Sequence, residues 1–287
     1  MKHLKRLTAV LLAGLMTISF VACGSDSSSG MSGIITSSGS SALLPLAKDA
    51  TKEFKKDNPD VSVTLNAGGS GTGLKQVVDG SVDVGNSDVP AEDKLSPELA
   101  KQLVAHKVCV VTITPVINNE LAKEVNNLTK QQLIDIFTGK VTNWKEVGGP
   151  DEEILLITRP KTSGTRAVFR EHGLDGNEEL SSSALETDDS GTLLQTVADN
   201  KGAIGYVSLS YVINNDKVSK LSVDGVEPSL ENTYNGTYPI WGYEYMYTKG
   251  EPEGVIKAYL DFIVSDTYAN RIEEQGYCVT SKMTVQR

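Results

Sequence analysis

Arg159 is followed four residues later by Ser163, Gly164 and Thr165, and this group lies between the apolar run ILLIT and a segment that reads as a helix start. Residues of these types in this order can hold an oxyanion. The first backbone N–H groups of a helix have no partner within it and sit at the positive end of its dipole, so they can point at a bound anion. Ser163 and Thr165 add hydroxyl donors, Gly164 lets the backbone come close, and Arg159 offers a two-pronged cationic grip. Taken alone, the pattern also fits an ordinary helix cap beside a surface arginine. Three further segments of the same character tip the balance toward an anion site: SSGSS at 37–41, GGSGTG at 68–73 and GNSD at 85–88.

The elements that must position these segments alternate along the chain. Strand signals cover 34–36, 61–65, 82–84, 108–116, 154–158 and 203–207. Helical periodicity covers 43–55, 73–79, 97–104, 129–137, a stretch from Thr165 onward, 192–200 and 255–263. Such alternation implies an α/β fold with largely parallel pairing and helices on both faces. In sheets of that kind ligands sit beyond the carboxyl ends of the strands, which is where each Ser/Gly cluster falls. Clusters on two separate sheets imply two lobes closing over one ligand. The aromatic run YPIWGYEYMY at 238–247 reads as a well-packed strand rather than a sugar-stacking platform, and Asp188-Asp189-Ser190-Gly191-Thr192 reads as a helix start in preference to a second-lobe contact to the ligand.

The ends and the composition set outer limits. Lys2, Lys5 and Arg6 precede an apolar stretch, 7–20, that leads to Val21-Ala22-Cys23-Gly24, so residues 1–22 read as an export signal. The low-complexity segment that follows cannot bury a core and reads as a flexible tether over 23–32. Removing residues 1–22 takes away three positive and no negative charges, moving the formal net charge from −10 to −13. So acidic a chain argues against a nucleic-acid partner. It also means that an anion site here must rest on local dipoles rather than on the long-range field. Cys109 and Cys278 read as buried thiols or as a disulfide pair, and the sequence leaves both open. His106 and His172 stand at no ligand spacing with a cysteine pair, so neither a zinc site nor any other cofactor is expected.

Taken together, GSSALLPLAK, GGSGTGLKQVVDGSVDVGNSDVP, LTKQQLIDIFTGKVTNWKEVGG, RPKTSGTRAVF and GAIGYVSLSY resemble the substrate-binding lipoprotein of the bacterial ABC phosphate transporter. The resemblance runs from Gly33 to about Val279. It implies a type II periplasmic-binding-protein-like fold, two mixed sheets with flanking helices joined by two hinge strands near 114–116 and 240–243. Lobe 1 would comprise 33–115 plus 242–287, and lobe 2 would comprise 116–241. It further implies lipidation of Cys23, attachment to the cell membrane, and partnership with a permease and its ATPase.

Carried over position by position, the family's phosphate contacts fall on Ser40, Ser41 and Ala42 in the first loop, Ser70 in the second and Asp88 in the third. Arg159, Ser163, Gly164 and Thr165 match the fourth. Family members often carry Thr and Phe where this chain has Ser41 and Ala42. Asp88 supplies the selectivity: an ionised carboxylate only accepts hydrogen bonds, so it repels an oxyanion that brings no proton. Phosphate carries at least one proton at neutral pH and sulfate carries none. Arg159 is expected to pair with Asp88 as well as with the ligand, keeping the aspartate ionised. A receptor for sulfate or molybdate fits less well, because such anions are served by neutral donors alone. A secreted serine hydrolase or phosphatase also fits less well, because Gly68-Gly69-Ser70-Gly71-Thr72 lacks the last glycine of a nucleophile elbow.

Overall fold

The computed structural model describes residues 30–180 and 184–287, so the export signal, Cys23 and most of the tether lie outside the described residues. The chain begins with β1 (Gly33–Gly39), α1 (Leu44–Asp57), β2 (Val61–Ala67), α2 (Ser70–Asp79), β3 (Val84–Ser87) and α3 (Pro97–Ala100). It then enters a long strand, β4 (Leu103–Asn118), followed by β5 (Asn127–Leu128), α4 (Lys130–Phe137), β6 (Leu155–Thr158) and α5 (Gly164–Gly173). Next come β7 (Leu185–Glu186), α6 (Ser190–Asp199), β8 (Ala203–Ser208), β9 (Val218–Lys220), β10 (Ser222–Val223) and α7 (Leu230–Tyr234). The chain closes with β11 (Trp241–Lys249), α8 (Gly254–Ile263) and α9 (Asp266–Glu274).

The length of β4 organises the whole. Residues 103–112 pair antiparallel with β11, whereas Ile113–Ile117 pair with β8 and Val116–Asn118 with β9. One strand therefore serves both halves, and the two expected sheets are hydrogen-bonded into a single path, β2-β1-β3-β11-β4-β8-β6-β7. The change of partners falls at Thr112 and Ile113, where the Ile113 N–H donates to the carbonyl of Ile240 at 2.8 Å. That is just ahead of the 114–116 expected from the sequence. The reading of 97–104 as helix also needs correction. The helix stops at Ala100, and Leu103 and Val104 already pair with Lys249 and Thr248. Pairing to a neighbour distant in sequence overrides the local helical pattern there.

On either side of this strand the pairing is parallel: β2-β1-β3 at one end and β8-β6-β7 at the other. The C-terminal helices α8 and α9 pack on the first group. Phe54 of α1 meets Tyr259 of α8 edge-on at 5.5 Å, and the hydroxyl of Tyr268 on α9 donates to Asp49 at 2.8 Å. In the second half Phe169 stacks on Tyr206 at 4.0 Å, and the Trp144 indole N–H donates to the Gly202 carbonyl at 3.0 Å. Of the aromatic run, Trp241–Tyr247 lie in β11, buried on both faces rather than one, while Tyr238, Pro239 and Ile240 precede the strand; Trp241 and Tyr243 are in edge-on contact at 5.6 Å.

Cys109 and Cys278 are both buried free thiols. The backbone explains why they do not bond. Cys278 pairs across from Val110, so its side chain shares a face with Val110 while that of Cys109, the adjacent residue, points to the other face.

α2 lies against β1 at a distance only glycine permits. A Cβ at Gly73 would stand 2.4 Å from the Ser38 carbonyl oxygen and 2.5 Å from the Gly39 Cα. Gly73→Ala is therefore expected to lower stability by about 2 kcal/mol, read as a fall in the urea midpoint with unchanged slope.

Candidate functional site

Four helices, α1, α2, α5 and α6, each start within a few residues of the carboxyl end of a parallel strand. The chain turns there on small polar residues. Ser40 Oγ accepts the Leu43 N–H at 3.1 Å, Ser163 Oγ accepts the Arg166 N–H at 3.2 Å, and the Asp189 carboxylate accepts the Thr192 N–H at 2.7 Å. Gly69 precedes α2 at φ +81°, a conformation that disfavours other residues, and a Cβ there would lie 2.9 Å from an Asp188 carboxylate oxygen. Ser70 is the first residue of α2 rather than part of a preceding loop.

These starts converge, and the structure brings together the nine residues expected from the sequence to contact the ligand. Ser40, Ser41, Ala42, Ser70, Asp88, Arg159, Ser163 and Thr165 are each at most 2 % exposed, and Gly164 is buried beside them. A Cβ on Gly164 would sit 2.2 Å from Ser70 Oγ and 3.0 Å from the Asp88 Cβ, so glycine is what lets α5 approach α2. Among the described residues, the backbone N–H groups of Ser41, Ala42, Ser70, Gly164 and Thr165 donate to no protein acceptor. Buried N–H groups without partners are rare, and five of them at the starts of α1, α2 and α5 are of the kind that suits an anion. Ser40 differs from its neighbours. Its N–H donates to the Asn86 carbonyl at 3.0 Å, so it braces the loop and has only its hydroxyl proton to offer.

Arg159 reaches across from the second half to the first. Its Nη2 donates to Ser41 Oγ at 2.9 Å and to the Asp188 carbonyl at 2.8 Å, its Nη1 to Ser190 Oγ at 3.1 Å, and its buried Nε has no partner. Asp88 is held from both sides: Thr165 Oγ1 donates to it at 2.7 Å, and Ser70 Oγ at 3.4 Å. The expected Arg159–Asp88 pair is not formed. The guanidinium is taken up by Ser41, Ser190 and the Asp188 carbonyl, while hydroxyl donors occupy the aspartate. Further bonds tie the halves together: Gly71 N–H to the Thr162 carbonyl at 3.0 Å, Lys94 Nζ to the Lys161 carbonyl at 2.8 Å, and the Tyr211 hydroxyl to the Ser41 carbonyl at 2.7 Å.

Three residues of this cluster escaped the sequence reading as site residues. Ser190 heads a second Ser-Gly-Thr triplet, 190–192, and repeats the signal at 163–165; the helix start read there is present, and its serine also faces Ser41 at 2.9 Å. Asp188 places its carbonyl on Arg159, and burial pushes its own carboxyl up, partly offset by Arg159. Tyr211 gives no local signal, since only the fold carries it to Ser41. Ser70 has no histidine partner: its hydroxyl faces Asp88, while His106 bonds Thr248 Oγ1 at 3.0 Å.

A buried ionic arrangement supports the arginine loop. Arg166 Nη1 donates to the Arg159 carbonyl at 2.5 Å, and its Nε lies 3.7 Å from Glu179, which also accepts from the Tyr206 hydroxyl at 2.7 Å.

Helix starts gathered from both ends of one continuous strand path suit a solute-binding receptor, and comparison with known proteins agrees. The family model described as a PBP superfamily domain matches residues 24–267. The phosphate-binding protein PstS of Bacillus subtilis is 44 % identical over 300 residues, covering 100 % of this chain and 98 % of that protein. PstS of Staphylococcus saprophyticus is 28 % identical, over 91 % of this chain and 86 % of its own length. Among solved structures, a Clostridium perfringens substrate-binding protein with bound phosphate superposes with TM-score 0.77 at 32 % identity, covering 86 % of this chain and 99 % of that one. An ABC-type phosphate transport receptor from Vibrio cholerae gives 0.64 at 25 % identity, over 86 % and 99 %. The chain belongs to the PBP superfamily and, within it, to the family of these phosphate-binding proteins.

Burial pushes the Glu179 carboxyl up to about 7, against the opposing pull of the Tyr206 hydroxyl and Arg166. An acid raised in the folded state contributes stability that is fully present below its unfolded value, near 4.5, and is lost as pH rises through about 7. Glu179→Gln is therefore expected to flatten the fall in melting temperature between about pH 5 and 8, measured by calorimetric scans across that range.

Proposed function

We propose that this protein is an extracytoplasmic receptor that captures inorganic phosphate between its two lobes and delivers it to the permease and ATPase of an ABC importer. The observation that carries the reading is one acceptor set among donors. Five unpartnered N–H groups and the Arg159 Nε gather around Asp88, whose carboxylate already takes the protons of Ser70 and Thr165, while Asp188 lies nearby and turns its carbonyl to Arg159. The donors suit an oxyanion, and the acceptor suits one that still carries a proton. Ser40, Ser41 and Ala42 form the first contact, Ser70 the second, Asp88 the third, and Arg159, Ser163, Gly164 and Thr165 the fourth. The donors are neutral except Arg159, so affinity arises at short range and tolerates the net charge of −10. No cofactor takes part.

The division into lobes follows 33–115 plus 242–287 and 116–241. It is supported by the packing of α8 and α9 on α1 and by the change of partners along β4. Residues 1–22 are read as the signal and Cys23 as the lipidated residue that holds the protein at the cell membrane; the sequence of the first residues supports this. Replacing Cys23 with Ser is expected to shift the protein from the membrane fraction to the medium, followed by fractionation and immunoblot.

Titration calorimetry at neutral pH is expected to give one phosphate per chain and little sulfate binding. Facing an ionised Asp88, sulfate loses a hydrogen bond and meets a like charge, a penalty of about 3 kcal/mol or roughly a hundredfold in affinity. Asp88→Asn supplies an amide in place of that charge and is expected to narrow the preference for phosphate over sulfate by about tenfold or more. Equal affinity of the wild type for the two anions would overturn the reading.

A further inference from the structure

Behind Asp88 lies a carboxyl that the site described so far does not use. Glu244, on β11, is fully buried, and both its oxygens lack a bonding partner among the described residues. Its position follows from register. Tyr245 pairs with Ser87 of β3, so Glu244 stands one step further along, beside Asp88, with Cys109 of β4 on its other flank. A shift in the β11–β4 register between Glu244 and Tyr245 accompanies this placement.

The titratable groups that face Glu244 are Asp88, in hydrogen-bonding range of it, Cys109 from β4 and Tyr277 from the C-terminal segment. None is cationic, and no Lys, Arg or His among the described residues forms an ion pair with it. Two facing carboxylates would repel each other in a dry interior, and neither could donate to the other. A single proton between them turns the contact into a charge-assisted hydrogen bond. Burial first, then the charge of Asp88 beside it, hold the Glu244 carboxyl well above the ordinary range.

We propose that Glu244 carries a proton at neutral pH and, by donating it to Asp88, fixes Asp88 as the acceptor that tests the ligand for a proton of its own. The inference rests on the phosphate reading of the site. A carboxylate has about four lone-pair directions. Thr165 Oγ1 fills one at 2.7 Å and Ser70 Oγ another at 3.4 Å. The Glu244 hydroxyl fills a third, and the last is left for a ligand O–H. Glu244 is thus a positioning residue that takes the part expected of Arg159: it keeps Asp88 an acceptor without bringing a cation to it.

The test compares the full chain with Glu244→Gln, whose amide still donates, and Glu244→Met, which cannot. Infrared spectra at pH 8 are expected to show the carbonyl band of a protonated carboxylic acid in the wild type that Glu244→Gln removes. Because the native carboxyl is raised, its contribution to stability is present below about 4.5 and lost as pH rises. The melting temperature of Glu244→Gln relative to wild type is therefore expected to climb steadily from about pH 5 to 8. At pH 7, Glu244→Gln is expected to keep phosphate affinity within about threefold, and Glu244→Met to fall about tenfold below it.

A missing band together with a flat melting difference overturns the proposal, since Glu244 is then ionised. Equal phosphate binding by the Gln and Met variants overturns the positioning role, and so does a Gln variant as weak as the Met variant. If Glu244→Met fails to fold, the band and the Gln variant decide alone. A wild type that shows the band but binds no phosphate overturns the reading of the site and leaves the shared proton standing.

Discussion

Buried hydrogen-bond donors with no acceptor inside the protein are the constraint on which this structure turns. Desolvating an N–H without a partner costs about 1–3 kcal/mol, and folds seldom tolerate it. Here several such groups gather where α1, α2 and α5 begin, together with the unbonded Nε of a buried arginine. The rest of the molecule keeps that concentration of positive dipole in place. Parallel strands deliver the helix starts to one level, Gly73 lets α2 approach the backbone of β1, Gly164 makes room for the Ser70 and Asp88 side chains, and Arg166 braces the arginine loop through the Arg159 carbonyl.

The acceptors in the same space answer these donors in a graded way. Ser41 and Ser190 share hydroxyls with Arg159, the Asp188 carbonyl takes one of its protons, and Asp88 takes those of Thr165 and Ser70. These bonds hold the side chains in place, which lets one unfilled acceptor direction discriminate among ligands. The strongly acidic surface has little influence at this range. At physiological ionic strength charges more than about 8 Å away across solvent are largely screened, whereas the dipoles of the helix starts are in contact with the space they serve.

Much of this arrangement could be read from residue order, because helix starts and close approaches demand particular side chains. Ser163, Gly164 and Thr165 announce a helix N-terminus by their types alone, and the glycines around Ser70 do the same. What escaped depends on tertiary pairing. Tyr211 meets Ser41 only because the chain returns across the cleft, and Ser190 was read as a cap since its triplet is identical in form to one. The supposed Arg159–Asp88 pair followed from opposite charge without geometry; Ser41 and Ser190 engage the arginine, and Ser70 and Thr165 engage the aspartate. Glu244 was visible as a lone acid in an aromatic strand, but its neighbour across the sheet could be named only from the register of β11 with β3. Leu103 and Val104 likewise went to a strand whose partner lies far along the chain.

The donors around the site are divided between halves that meet through a handful of bonds, while β4 runs unbroken through both. On the proposed division into lobes, flexing that strand near Ile113 withdraws Arg159 from Ser41 and Thr165 from Asp88 together. The grip on a ligand then behaves as a latch rather than as a sum of independent contacts. A partner that prises the two halves apart need not compete for the anion or touch it; it has only to unfasten the latch, and the cradle loses half of its fingers at once.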